Sequence, residues 1–377
     1  MNKTARIRSL DILRGFAILG TLLTNIWIFA YLGDLNYLFV GQQDIWSSGD
    51  SLLRVLSLAL FNGKLLSLLA IMFGVGLELK YQQSLRKGRA WPGIYLWVSL
   101  ILFIEGLLHF TLVMEYDILM SYAVTAVIVA YIVKRGERAI KWAMIIFGSI
   151  HLLLYLGVTV IQLSGASLSM GNMHEVVQLY QQGSWFEQVI FRLNNFILLR
   201  LELILAFSSN IFLFLTGVLL MRKGAFASDA QGIHIRRKLF RYGLLIGLPL
   251  NLLVFVPGGS FDLIVRYVFS AVLAIGYLGA FSLMAEKWQD WRIWNLLEQT
   301  GKMSLSCYVL QNLFCTVLFY GWGLGLGGKM GSVEVLLIWF GVAMLQIFFA
   351  TTWLRFFQFG PIEAARRGIL ALITRQS

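Results

Sequence analysis

Charge is scarce in this chain. Only 13% of its 377 residues are Asp, Glu, Lys or Arg, against about a quarter in soluble domains, so a water-covered globular fold is excluded. Cysteine is scarcer still. Cys307 and Cys315 lie eight residues apart in one apolar run, about 12 Å along a helix and beyond the reach of a disulfide. Two cysteines and four scattered histidines give no zinc-type spacing, so no metal site is expected. The chain has no P-loop, no HExxH and no GxSxG. GLGLGG at 323–328 matches a dinucleotide fingerprint in letters only, because it follows an apolar helix and not a strand; it reads as a flexible outer turn. Without repeat, linker or low-complexity tract, residues 1–377 form a single integral membrane domain.

What is abundant is hydrophobicity, at 58% of residues. Apolar runs long enough to cross a bilayer recur throughout. They predict ten transmembrane helices, near 10–31, 62–80, 93–114, 118–133, 140–163, 194–221, 242–257, 262–284, 303–321 and 333–356, and an all-α polytopic membrane protein. Loops of one parity hold 24 of the 31 Lys and Arg residues, including Lys3, Arg6 and Arg8, the cluster Lys80 to Arg89, and six between Arg222 and Arg241. Loops of the other parity hold one, Lys329. By the positive-inside rule both termini are cytoplasmic. The net charge of +12 therefore meets anionic lipid head groups and not nucleic acid. Arg236, Arg237 and Lys238 are accounted for by this topology signal.

The opening stretch RIRSLDILRGFAILGTLLTN passes from a basic tail into a span and carries Asp11 and Arg14 where the apolar run begins. At about 100° per residue Asp11, Arg14, Thr21 and Asn25 share one arc, facing protein or a cavity. The alternative is an ion pair that orients the helix. Five more basic residues sit at span depth or span edges: Arg54, Lys64, Arg192, Arg200 and Arg266. Snorkelling accounts for Arg54 and Arg192. Asp262 and Arg266 are spaced to pair, and Arg192, Asn195 and Glu202 share one face of the sixth span. Lys64 and Arg200 point to a basic, water-filled cavity open to the outside. Residues 32–61 predict a short helix lying at or dipping into the interface and breaking at Asn62-Gly63; residues 164–193 predict a cap over the outer face.

His109 is the most chemical residue. It is placed near the outer end of the third span, one turn after Glu105, and Asp117 follows across a tight turn. A histidine oriented by a carboxylate is a general base; the alternative is a core histidine beside a helix-capping Asp117. Ser304, Cys307, Tyr308, Gln311 and Cys315 form a polar stripe that lines a cavity or joins helices. His151 reads as a satisfied core residue, and His234 as part of a cytoplasmic loop.

Four stretches carry a family resemblance: LDILRGFAILG at the start, FNGKLLSLLAIMFGVGLEL at 61–79, GLLHFTLVMEYDILMSYAV at 106–124, and the part from GKMSLSCYVLQN at 301 to FGPIEAARRG at 359. As a set they resemble the YeiB-like bacterial membrane proteins, domain-of-unknown-function family 418. Cys307 and Ala364 depart from that family's usual Asn and Trp. The opening is also similar to the wider transmembrane acyltransferase superfamily, so about 1–160 is the acyltransferase-like part and about 220–377 the family-signature part. Asn25 stands where such first spans often carry a catalytic histidine, so His109 would supply the base from another helix.

The resemblance implies a multi-pass protein of the bacterial plasma membrane that moves an acyl group from cytoplasmic acyl-CoA to an extracytoplasmic glycan, lipid or small molecule. CoA would dock near Arg14 and Arg6 as a donor and not as a resident cofactor. His109 would act as base, oriented by Asp117 or Glu105. Lys64, Arg200 or Arg266 would stabilise an oxyanion or hold an anionic acceptor, and Asp11, Arg14, Asn25, Tyr308 and Gln311 would complete the substrate-binding set. The alternative is a transporter or exporter of a lipid or small anionic solute, using the same charged cavity. The oligomeric state is left open, a homodimer included.

Overall fold

A lipid interior offers no partner for backbone N–H and C=O groups, so a chain of this composition must satisfy them within helices. In the computed structural model, which describes residues 7–41, 48–165 and 173–375, every regular element among the described residues is helical. Lys3 and Arg6 of the basic tail and the Glu202 side chain lie outside that description. The longer helices are α1 (Arg8–Ala30), α2 (Gly49–Phe61), α3 (Lys64–Arg86), α4 (Ile94–Leu112), α5 (Leu119–Lys134) and α6 (Glu137–Leu163). After them come α7 (His174–Gln182), α8 (Trp185–Asn194), a short α9 (Phe196–Leu199), α10 (Leu201–Arg222) and α11 (Ala230–Leu252). A short α12 (Asp262–Ile264) runs through a π turn into α13 (Ser270–Lys287), followed by α14 (Arg292–Lys302), α15 (Ser304–Phe319), α16 (Ser332–Phe356) and α17 (Pro361–Arg375).

Eight stretches among the described residues are long and apolar enough to cross a bilayer, α2 with α3, α9 with α10 and α12 with α13 each counting as one, and α14 with α15, bent by 86°, would make a ninth. The tenth expected span is α5. Its 16 residues rise about 24 Å, less than the roughly 30 Å hydrocarbon core. The non-helical stretch before it, residues 113–118, is consequently drawn into the bundle, where Glu115 and Asp117 are fully buried.

Three expectations change in detail. The helix expected from 242 begins at Ala230, so Arg236 belongs to a helix and not a loop. Its buried guanidinium holds the carbonyls of Ala225 and Ala227 and the Glu286 carboxylate, which is more than a topology signal. Second, the helix expected within 32–61 is α2, packed beside the far end of α1. The Trp27 indole donates to Ser57 at 2.9 Å, and one turn on, Arg54 donates to the Tyr31 hydroxyl at 2.6 Å. The expected break at Asn62-Gly63 is present, with Gly63 at φ +77°. Third, the sixth span is interrupted, so Arg192 on α8 and Asn195 lie outside α10, and Arg200 sits at the corner between α9 and α10.

Glycines bring backbones into contact where the hydrophobic effect between helices is weak. A Cβ on Gly301 would stand 1.8 Å from the Asp11 carbonyl oxygen, and one on Gly15 would stand 2.0 Å from that of Leu297. This seats the charged start of α1 on α14. A Cβ on Gly217 would stand 2.1 Å from the Ile71 carbonyl oxygen, so α10 locks on α3 in the same way.

Gly301→Ala and Gly217→Ala should each cost about 1–3 kcal/mol through overpacking, read as a lower melting temperature in a fixed detergent. Gly157→Ala, where a Cβ meets nothing within 4 Å, should leave it unchanged; equal melting temperatures for all three would contradict the packing account. In a cysteine-free background, single cysteines at Asn36 and Gly328 should react with an impermeant reagent in whole cells, and those at Gly88 and Ser228 only after lysis. The reverse pattern would invert the topology.

Candidate functional site

His109 ends the last full turn of α4, and the buried stretch 113–118 folds back so that Asp117 reaches it. The Asp117 carboxylate divides its oxygens. Oδ2 accepts from the backbone N–H groups of Leu119 and Met120 at 2.9 and 3.2 Å, at the start of α5. Oδ1 lies 3.0 Å from Nδ1 of His109. The approach is oblique, so the contact is more an electrostatic pairing than a linear hydrogen bond, but it favours a proton on Nδ1 and leaves the lone pair on Nε2. Nε2 is 3.1 Å from Nδ2 of Asn312 on α15. Both the imidazole and the carboxylate are sealed from solvent. The structure brings His109 and Asp117 together, and it equally matches the alternative: Asp117 caps α5, and His109 is a buried histidine held by Asn312 of a neighbouring helix.

Tyr308 completes the group. Its ring centroid is 5.1 Å from that of His109, and its hydroxyl is 3.5 Å from Oδ1 of Asp117. Two cavities approach this residue from opposite ends of the bundle. One, of about 280 Å³, opens toward the basic end between Arg14, Lys80, Lys302 and Arg366 and continues past Met72, Phe73 and Leu102. The other, of about 120 Å³, opens toward the far end and is lined by Asn25, Ser121, Arg200, Asn210 and Arg266 among others. Tyr308 and Ile118 are walls of both. His109 lines neither, and Tyr308 is the member of this group that both cavities reach.

The remaining expected site residues divide. Arg14 lines the basic-end cavity, while Asp11 is buried 3.4 Å from it; the pair is at once an ion pair and part of a cavity wall. Asn25, Arg200 and Arg266 come together in the far-end cavity. Lys64 instead borders a void of about 10 Å³ with Asp262 and Arg266, behind that cavity. Gln311 accepts from Gln346 of α16 at 3.0 Å and joins two helices rather than lining either cavity. Glu105 does not orient His109: both its oxygens are taken by Arg366 of α17. Its helical spacing from His109 favoured a contact that the C-terminal helix pre-empts. His151 is held by the Tyr267 carbonyl at 3.0 Å, as a core histidine would be.

Arg192 does not snorkel. It is fully buried, with Nε 3.3 Å from both Glu115 and the Tyr180 hydroxyl and Nη1 on the Thr111 carbonyl at 3.0 Å. Tyr180 donates to Glu115 at 2.6 Å. This cluster fastens α7 and α8 over the far end, the cap expected from 164–193, though 166–172 lie outside the described residues. Glu115 escaped the sequence reading because its partner is 77 residues away. Arg192→Met should leave Glu115 buried without its cation and cost about 3–5 kcal/mol, read as a lower melting temperature. Arg192→Met with Glu115→Gln should recover most of that loss, and a double variant as unstable as the single one would contradict the pairing.

Comparison with known proteins supplies a family. A family model described as "Protein of unknown function (DUF418)" matches residues 220–372, the part that holds Tyr308, Asn312 and Arg366. Over 384 residues the chain is 25% identical to "Uncharacterized protein YxaH" of Bacillus subtilis (strain 168), covering 95% of this chain and 92% of that one. Over 383 residues it is 28% identical to "Uncharacterized protein YeiB" of Escherichia coli (strain K12), covering 94% of each. The DUF418 match over residues 220–372 and these two near full-length similarities make the chain similar to the YeiB-like membrane proteins of the DUF418 family.

Proposed function

We propose that the protein is a membrane-bound acyltransferase of the bacterial plasma membrane. It takes an acyl group from a thioester donor such as acyl-CoA at the basic, cytoplasmic end and gives it to a hydroxyl acceptor entering from the opposite side. The observation that carries this reading is the pair of cavities from opposite ends that share Tyr308, backed by a buried histidine–carboxylate pair. The basic-end cavity suits the donor: Arg14, Lys80 and Lys302 attract phosphates at its mouth, and its apolar depth accepts an acyl arm.

Each group then has a role. The acceptor oxygen attacks the thioester carbonyl, a C–O bond forms and the C–S bond breaks. The hydroxyl proton passes through the Tyr308 hydroxyl to the Asp117 carboxylate, which the Nδ1–H of His109 supports, and returns to the departing thiolate. Asn312 fixes the far side of the imidazole and so keeps Nδ1 turned toward Asp117. The same pair of cavities also suits alternating access by a lipid or small anion, which is the second reading.

The test follows acyl-CoA consumption by purified protein in liposomes supplied with cell-envelope glycan and lipid extracts. His109→Gln keeps size and polarity but removes the imidazole that supports the Asp117 carboxylate, and should lower turnover by about two to four orders of magnitude. Tyr308→Phe should lower turnover in the same direction while changing stability by no more than about 1.5 kcal/mol. Wild-type turnover by both variants would sink the mechanism. Passage of a labelled solute or lipid without any acyl-CoA consumption would favour the transporter.

A further inference from the structure

Arg200 is the most unusual cation in the bundle. It lies at the corner between α9 and α10, at 8% exposure, with its guanidinium carbon 3.9 Å from the centroid of the Phe110 ring. Only one of its nitrogens is engaged: Nη1 donates to the Asp117 carbonyl at 2.9 Å. Nε and Nη2 are buried and, among the described residues, have no hydrogen-bond partner. A buried donor left unmade costs free energy, and these two form one edge of the guanidinium. Along that edge two N–H bonds point in parallel, the geometry that grips both oxygens of a carboxylate or phosphate.

We infer that the far-end cavity is a binding site for an oxyanion group, a carboxylate or a phosphate, held side-on by Nε and Nη2 of Arg200. The stack on Phe110 and the bond to the Asp117 carbonyl fix the guanidinium plane. Around it Asn25, Ser121, Ser209 and Asn210 offer hydroxyl and amide groups suited to a polar, hydroxyl-bearing ligand. Arg266 adds a second cation to the wall. Glu115 is the opposing charge in this cavity; Tyr180 and Arg192 hold its Oε2, while Oε1 has no hydrogen-bond partner among the described residues. Because Nη1 is bonded to the residue that pairs with His109, an anion on the fork lies next to the proposed reacting group. That the ligand is the acyl acceptor rests on the acyltransferase reading; the binding site itself does not.

The test is titration of the purified protein in nanodiscs with sodium lactate, inorganic phosphate, and lactamide as the uncharged analogue, followed by melting temperature and calorimetry at constant ionic strength. No acyl donor is present, so the outcome is separate from that of the turnover assay. Lactate, phosphate or both should give a saturable stabilisation that lactamide does not. Saturation by lactate alone would assign the site to carboxylates and saturation by phosphate alone to phosphoryl groups. Arg200→Lys keeps the charge but loses the fork, and should weaken binding about tenfold or more. Arg200→Gln should abolish it. Absence of saturable binding to either anion, or equal binding by wild type and the folded Arg200→Lys protein, would overturn the proposal.

Discussion

An ionised group at membrane depth must find its partner inside the protein, because lipid offers none. That constraint organises this structure. Asp117 is the central case, with two backbone N–H groups on one oxygen and the His109 imidazole beside the other. Its position requires the chain to leave helical form between α4 and α5, which shortens α5 and draws polar backbone into the bundle. Irregular backbone at that depth is tolerated where it is buried in protein or lines a cavity, and Ile118 of this stretch is a wall of both cavities. The fold defect and the candidate site are thus one feature.

The same constraint places the other charges. Glu105 and Arg366 tie α17 to the middle of α4. Glu78 and Arg222 close the basic ends of α3 and α10, with nitrogen–oxygen distances of 2.9 and 3.0 Å. Glu115 and Arg192 hold down the far-end cap. Each pair joins elements distant in sequence, so each ion pair is also a topological tie. Arg200 departs from the pattern, since its fork edge meets no carboxylate among the described residues.

The sequence makes the spans legible because lipid imposes long apolar runs and the loops carry the charge bias; all ten expected spans have a helical counterpart. His109 and Asp117 are legible as a pair because only a short turn separates them. Gln311 looks equivalent to Tyr308 on the same stripe of α15, yet one joins α16 and the other faces the cavities, a division that helical periodicity cannot make. Glu105 misleads because its partner is 261 residues away. Asn312 lies one turn beyond Tyr308 on α15, so the two reach the same group. The glycine contacts, Gly301 against Asp11 above all, depend on two backbones at once and have no mark in either stretch alone.

The central claim is that the two cavities serve one reaction at Tyr308. The most direct measurement is an experimental structure of the protein with a non-hydrolysable acyl-CoA analogue. The account predicts the analogue's phosphates against Arg14 and Lys80, its arm along Phe73, and its acyl carbonyl in contact with the Tyr308 hydroxyl. An acyl group lodged away from Tyr308, or an analogue that does not enter the basic-end cavity at all, would contradict it.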